Sequence, residues 1–286
     1  MKRLAHYSQH FLRSPNLVKE LIGHSNLTKN DIVYDIGAGS GVITSVLATR
    51  VKRVLAIEYE PRTAAKLQEN MSSYPNVTVM QGDVMTLPIP TGSYKIFANI
   101  PFHLSSPIVR RFSEASNPPE AIYLIVQKQF AQKIVPSDQR FTAQLGIILA
   151  PLYAARIRKR LQRTDFWPHP NVDTVLLELI RHPKSLIAAA DLPAYRKFVT
   201  DCFSTPKIFA ATPRAAVGIS LERKPSELTP EQWIALYSRQ QAALLSSEPP
   251  VPAQGNYKVR STSPRMRRDR YQKGNRHSGR KPDVQP

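Results

Sequence analysis

The tetrapeptide Asn99-Ile100-Pro101-Phe102 brings together residue types that could hold a planar ring carrying an amine. It follows the short apolar run 94–98, which is typical of a buried strand. Asn99 supplies a carbonyl acceptor and an amide donor, and Phe102 offers an apolar face for stacking. Pro101 lacks an N–H and fixes φ, so the turn is stiff. These residues predict a turn that grips an exocyclic amine, although an ordinary polar turn after a strand would have the same composition.

A second candidate feature is a glycine-rich loop with a carboxylate before it. Gly37, Gly39 and Gly41 alternate after a predicted strand over 32–36, so the backbone can turn tightly and approach a ligand closely. A dinucleotide-binding loop is the obvious competitor, but its fingerprint is Gly-x-Gly-x-x-Gly. Asp35 would repel a pyrophosphate, whereas it suits the cationic end of an amino acid.

Two further carboxylates close the next predicted strands. Glu58 lies 23 residues after Asp35, where a carboxylate can accept from both ribose hydroxyls. Asp83 ends the third strand and could accept from an adenine amine. Each residue alone is more often a helix cap or a solvated turn. Together they predict a nucleoside ligand at the carboxyl edge of a parallel sheet.

The elements that must position these residues alternate between strand and helix, which predicts an α/β fold with a parallel sheet. Helices are predicted over 42–49 and from 61 to about 72, with Pro61 suited to a first helical turn. Residues 153–161 and 174–180 predict a hairpin at the sheet edge. The other predicted strands are 32–36, 53–58, 77–80, 94–98 and 121–126.

Composition divides the chain into three predicted parts, residues 1–182, a small helical domain over 183–245, and a disordered basic tail over 246–286. The net charge is +19. The tail holds ten Lys and Arg against three Asp and Glu, so the body keeps +12. Such an excess favours a polyanionic partner.

Several classes are disfavoured by the sequence. No apolar run is long enough for a membrane span, and the N-terminus does not resemble a secretory signal. Cys202 is the only cysteine, which excludes an internal disulfide and fits a reducing cytoplasm. The seven His residues show no metal-ligand spacing, so no metal is expected.

With these features, the chain resembles the ribosomal RNA adenine N6-methyltransferases, and within them the erythromycin-resistance (Erm) branch. The resemblance covers roughly residues 5–240, and the motifs stand in family order. His10 replaces the usual Asn, Asp35 the commoner Glu, and Phe102 the Tyr of many relatives. Besides the loop, the strand-end carboxylates and the tetrapeptide, the matching segments are 7–12, 166–174 and 228–233.

The resemblance implies that residues 1–182 form a Rossmann-like class I methyltransferase domain with a mostly parallel seven-stranded sheet, and that the small helical domain over 183–245 binds RNA. It implies S-adenosyl-L-methionine as cofactor. It implies that Asn99 Oδ1 and the Ile100 carbonyl hold the target amine, while Phe102 and Phe166 stack on the adenine. Gln9, His10 and Leu12 would close over the methionine end of the cofactor. The remaining cofactor-binding residues would be Asp35, Gly37, Gly39, Glu58, Asp83 and Asn99.

The implied reaction is methyl transfer to N6 of an adenine in 23S rRNA before full ribosome assembly, conferring macrolide-lincosamide-streptogramin B resistance. The enzyme would be a monomer. Three alternatives stay open: a small-subunit rRNA dimethyltransferase, a non-catalytic nucleic-acid-binding protein, and a DNA or protein N-methyltransferase. Candidate RNA-binding cations are Arg110, Arg111, Lys128, Lys133, Arg156, Arg158 and Arg160, the last three sharing one face of a strand.

Overall fold

The apolar runs identified above form adjacent strands of one sheet in the computed structural model, which describes residues 10–136 and 142–247. The strands are β2 Ile32–Ile36, β3 Arg53–Glu58, β4 Val77–Gln81, β5 Lys95–Asn99, β6 Ala121–Gln127, β7 Tyr153–Leu161 and β9 Thr174–Arg181. The sheet order is β4-β3-β2-β5-β6-β9-β7, with β2 to β6 parallel and β9 antiparallel to its neighbours. This confirms the predicted seven-stranded fold and the hairpin at its edge. Two short strands outside this sheet, β1 Phe11–Leu12 and β8 Phe166–Trp167, pair with each other.

Helices cover both faces of the sheet, because strands buried on two sides need apolar cover on each. The helices of this part are α1 Pro15–Gly23, α2 Val42–Ala48, α3 Pro61–Asn70, α4 Ser105–Ser113, α5 Lys128–Ile134 and α6 Gln144–Leu149. Two of them, α2 and α3, follow β2 and β3 directly, as predicted. One core packs under α1 and α2, and another packs under α4, α5 and α6.

The C-terminal part is helical, with α7 Leu192–Ser204, α8 Pro206–Ala210 and α9 Pro230–Ser247. Its core surrounds the fully buried Trp233, and Ile147 and Ile148 of α6 pack into it. The helices therefore continue the same compact unit as the sheet, up to Ser247. The predicted boundary at 182–183 falls just after β9, and most of the predicted tail lies outside the described residues.

The predicted shared face of the three arginines on β7 is wrong. A bulge shifts the register between Ile157 and Lys159, so that Arg156 lies opposite Glu178 while Arg160 lies opposite Val175. Glu178 and Val175 are three residues apart and point to opposite faces of β9. Arg160 is therefore on the other side of the sheet from Arg156.

No helix within the described ranges has the length and apolarity needed to cross a membrane.

Candidate active site

A cavity of about 690 Å³ opens at the carboxyl edge of the sheet, above the ends of β2, β3 and β5 and the residues that follow β4. Gly37, Glu58, Asp83 and Asn99 all contribute to its wall. The topology explains this meeting, because parallel strands bring their carboxyl ends to one edge. The sequence prediction that these four residues come together is correct.

The glycine loop between β2 and α2 forms the floor of the cavity. The N–H groups of Gly37 and Ala38 both donate to the Ile57 carbonyl, at 2.8 and 3.0 Å, which ties the loop to the end of β3. Gly39 has φ of +58°, and a Cβ there would lie 3.2 Å from the ring of Phe11. Gly41 has φ of +94°. A Cβ there would lie 2.8 Å from the side chain of Leu67 in α3 and 2.8 Å from that of Met71, which caps the C-terminus of α3. A side chain would be strained at both positions.

Glu58 is almost fully buried and holds the loop through its carboxylate. Its Oε2 accepts from the N–H of Gly39 at 2.9 Å, and its Oε1 accepts from the N–H of Glu60 at 3.0 Å. Asp83 is exposed, and its Oδ1 accepts from the N–H of Met85 at 2.8 Å. Both carboxylates retain acceptor capacity for a ligand in the cavity.

Asp35 occupies a different position from the one predicted. It is fully buried behind the loop and is not among the described residues that form the cavity wall. The Thr44 hydroxyl donates to its Oδ2 at 2.7 Å, while its buried Oδ1 has no partner among the described residues. Burial raises the pKa of Asp35 to about 7, with the nearby Glu58 adding to that rise. Asp35 therefore affects the cavity indirectly, through the loop and α2.

Asn99 ends β5 and lines the cavity. Its Nδ2 donates to the backbone carbonyl of His10 at 2.6 Å, which fixes the orientation of the amide. No described residue donates to Asn99 Oδ1, so this oxygen is available to a ligand. Ile100 is buried beneath the turn, and the ring of Phe102 lies 5.5 Å from that of His10 at an angle of 30°.

The two-stranded antiparallel sheet of β1 and β8 flanks this turn. Leu12 lies opposite Phe166, and both side chains are buried in the core under α1 and α2. Phe11 lies opposite Trp167, and both are exposed. This alternation is the ordinary period of two of a strand.

Phe166 therefore does not meet the expectation that it covers the adenine. Its side chain is 0% exposed and is absent from the cavity wall. His10 does lie at the cavity, where its Nδ1 is 2.8 Å from the Pro168 carbonyl and donates to it, since a carbonyl only accepts. Gln9 lies outside the described residues.

Sequence reasoning missed several residues of the cavity wall. Phe11, Tyr59 and Met85 each line the cavity close to a residue that was singled out. The sequence indicates these three residues by their closeness to predicted site residues, since an apolar or aromatic side chain near a strand-end carboxylate can face the same ligand. Tyr59 is the most exposed of them, at 72%.

Most of the candidate RNA-binding cations of the body already have protein partners. Arg111 donates to the Leu87 carbonyl, Arg110 pairs with Glu114, Lys128 with Asp173, and Arg158 with Glu178. The three ion pairs lower the charge that Arg110, Lys128 and Arg158 present to a polyanion, whereas the Leu87 carbonyl leaves the charge of Arg111 unchanged.

Comparison with known proteins identifies the family. Residues 2–207 match the family described as ribosomal RNA adenine dimethylase. The chain belongs to this family. It is therefore an S-adenosylmethionine-dependent rRNA adenine methyltransferase.

Individual relatives come from two functional groups. A ribosomal RNA small subunit methyltransferase A of Thermotoga maritima is 28% identical over 246 residues, 84% of this chain and 86% of the relative. An rRNA adenine N-6-methyltransferase of Limosilactobacillus reuteri is 33% identical over 193 residues, 67% of this chain and 77% of the relative. The crystal structure of the 23S rRNA methyltransferase ErmE has a TM-score of 0.71 at 28% identity, covering 81% of this chain and 99% of that one.

The cavity fits S-adenosylmethionine. Its volume lies within the range of small-molecule sites. Carboxylates suit the ribose hydroxyls and the exocyclic amine of the cofactor, and Ile57, Val84 and Met85 give the wall an apolar surface for its purine. Gly37 forms part of the wall, whereas Gly39 is not among the described residues of that wall and faces the ring of Phe11.

Proposed function

We propose that the enzyme transfers a methyl group from S-adenosylmethionine to N6 of a specific adenine in 23S rRNA. The observation that carries the chemistry is Asn99, which lines the cavity with its amide anchored by its nitrogen and with no described residue donating to its oxygen. The likeness to ErmE, at 28% identity over 81% of the chain, supports the large-subunit substrate. The Ile100 and Phe102 of the turn support it as well, because the small-subunit branch typically has Leu and Tyr there.

The roles of the turn follow from the chemistry of adenine, whose amino lone pair is delocalised into the ring. Asn99 Oδ1 and the Ile100 carbonyl accept the two N–H bonds of the amine and hold them out of the ring plane. This restores the lone pair on N6. Phe102 stacks on the base, which contributes about 1–3 kcal/mol and offsets much of the cost of extruding it.

The cofactor is held by the other half of the cavity. Bound S-adenosylmethionine supplies an electrophilic methyl group. Glu58 accepts from the ribose hydroxyls and Asp83 from the adenine amine of the cofactor, while Gly37 and Gly39 let the backbone approach it. His10 and Leu12 lie on the segment that covers the turn. The methylated N6 is acidic enough to release its proton to water, so no side chain is assigned as a general base.

Asn99→Ala tests the role of the turn. We expect it to abolish nearly all methyl transfer while leaving the calorimetric affinity for the cofactor largely intact. Asn99→Asp is the matched variant, because it keeps an acceptor but loses the donor that anchors the side chain to His10. Full turnover by Asn99→Ala would refute the assigned role.

The substrate is tested by transfer of labelled methyl to protein-free 23S rRNA, 16S rRNA and DNA, with the modified nucleotide then mapped. We expect N6-methyladenine in 23S rRNA, and macrolide resistance in a susceptible bacterium that expresses the enzyme. The second candidate is small-subunit methylation, favoured by the relatives named small subunit methyltransferase A, which match 84–87% of the chain. Methylation confined to 16S rRNA would establish that candidate and overturn the first.

The setting of the reaction is part of the proposal. Protein-free rRNA is the expected partner, because a base inside an assembled ribosome is harder to extrude. A monomer acting in the cytoplasm suits that partner. Size-exclusion chromatography with light scattering tests the oligomeric state.

A further inference from the structure

Trp167 is a large aromatic side chain left mostly in solvent beside the active site. It is 62% exposed, whereas Phe166 before it is fully buried. In the register of β1 and β8, Trp167 lies directly opposite Phe11, which is 44% exposed and lines the cavity. Directly opposed residues on an antiparallel pair have Cβ atoms about 5 Å apart on the same face. The two side chains therefore project from the same face of the strand pair and form an exposed aromatic surface beside the cavity.

Cationic and polar groups border this surface. The guanidinium carbon of Arg13 lies over one face of the Trp167 ring, 5.9 Å from its centre, which leaves stacking on a base to the opposite face. The His169 ring lies edge-on to the same indole, with centres 5.7 Å apart. Exposed aromatic rings interleaved with cations are the combination by which proteins hold unpaired nucleotides, since the rings stack on bases and the cations meet phosphates.

We propose that Trp167 stacks on an unpaired base that flanks the target adenine in the RNA, with Arg13 meeting the adjoining phosphate. The proposal rests on the family's rRNA substrate and is independent of which subunit supplies it. Phe11 lines the cavity and lies opposite Trp167, so a base next to the target adenine would reach the indole. The platform holds the RNA strand in register while its neighbouring base enters the cavity.

Fluorescence provides a direct test, since the chain has two tryptophans and Trp233 is fully buried in the helical core. The probes are a hexa-adenylate RNA and an abasic sugar-phosphate chain of the same length. We expect the hexa-adenylate to quench the emission of the full-length protein and the abasic chain to leave it nearly unchanged. Trp167→Phe should lose that quenching, because only Trp233 then emits. Equal quenching by both probes would show a purely electrostatic contact and overturn the proposal.

Steady-state kinetics give the second test, with whichever rRNA the enzyme methylates. We expect Trp167→Ala to raise the KM for RNA about 5- to 150-fold, with kcat and the cofactor affinity close to wild type. Trp167→Phe should recover most of the loss because it keeps a stacking face. Leu221→Ala is the matched control, since it truncates another side chain that is 64% exposed, in the helical part of the chain. A weaker cofactor affinity with an unchanged KM for RNA would make Trp167 a cofactor cover and overturn the assignment.

Discussion

Replacing Asp35 with Asn should make the protein increasingly stable relative to wild type as the pH rises. The folded carboxyl has a pKa of about 7 because it is fully buried, against 3.8 when it is solvated. Between these values the folded state retains a proton that the unfolded state has released. Stability is therefore lost as the pH rises from about 4 to about 7, and it stays low above that range.

The size of the effect follows from the two pKa values. The ionisation penalty is about 2 kcal/mol at pH 5 and about 4 kcal/mol at pH 8, since one pKa unit corresponds to 1.36 kcal/mol. The difference between the free energies of unfolding of Asp35→Asn and wild type should therefore grow by about 2–3 kcal/mol from pH 5 to pH 8. Any constant effect of the substitution cancels in this comparison. Asn can still accept the hydrogen bond from Thr44.

Urea unfolding at both pH values measures this difference. Thr44→Val is the matched variant, because it keeps the carboxyl but removes the hydrogen bond that favours its ionised form. Its pH dependence should persist and extend to higher pH. An Asp35→Asn difference that is the same at pH 5 and pH 8 would refute the reasoning, since it would mean that the buried carboxyl is not the group responsible.

Other features give shorter predictions. Gly41→Ala should lower the free energy of unfolding by about 1–2 kcal/mol, because φ there is +94°; an unchanged urea midpoint would contradict this. Asp31→Ala should lower the free energy of unfolding by about 3–5 kcal/mol, because it removes the countercharge of the buried Lys95, which lies 2.9 Å from that carboxylate. Combining it with Lys95→Met should restore much of the stability. Glu58→Gln should weaken cofactor binding about 5- to 10-fold by calorimetry, because a charged acceptor becomes neutral. Deleting residues 248–286, which keeps all of α9, should make RNA binding less sensitive to salt. The slope of log K against log salt concentration should fall by about 0.7 for each RNA phosphate that the tail neutralises. An unchanged slope would exclude the tail from binding.

Local patterns predicted the elements that carry the site. The strands Ile32–Ile36 and Arg53–Glu58 have the predicted bounds, because short apolar runs between polar turns leave little choice of register. The meeting of Glu58, Asp83 and Asn99 followed from the parallel topology alone. Parallel strands bring their carboxyl ends to one edge of the sheet.

The incorrect predictions depended on interactions between distant parts of the chain. Phe166 is buried because β8 pairs with β1, more than 150 residues earlier, and no local pattern encodes that register. The bulge that separates Arg156 from Arg160 depends on the pairing of β7 with β9. Asp35 lies behind its loop because Gly37 turns the chain away toward Ile57, which the sequence motif does not specify.

Helix α6 is buried against two cores, which restricts the exchange of segments between this enzyme and its relatives. Leu145 and Leu149 pack against the sheet, while Ile147 and Ile148 pack around Trp233. A chimera joined at residue 182 would set the second pair against a foreign set of helices and leave voids in the core around Trp233. Moving residues 144–149 together with the helical part would only transfer the mismatch to the core against the sheet, so the two parts must inherit their sequence changes together.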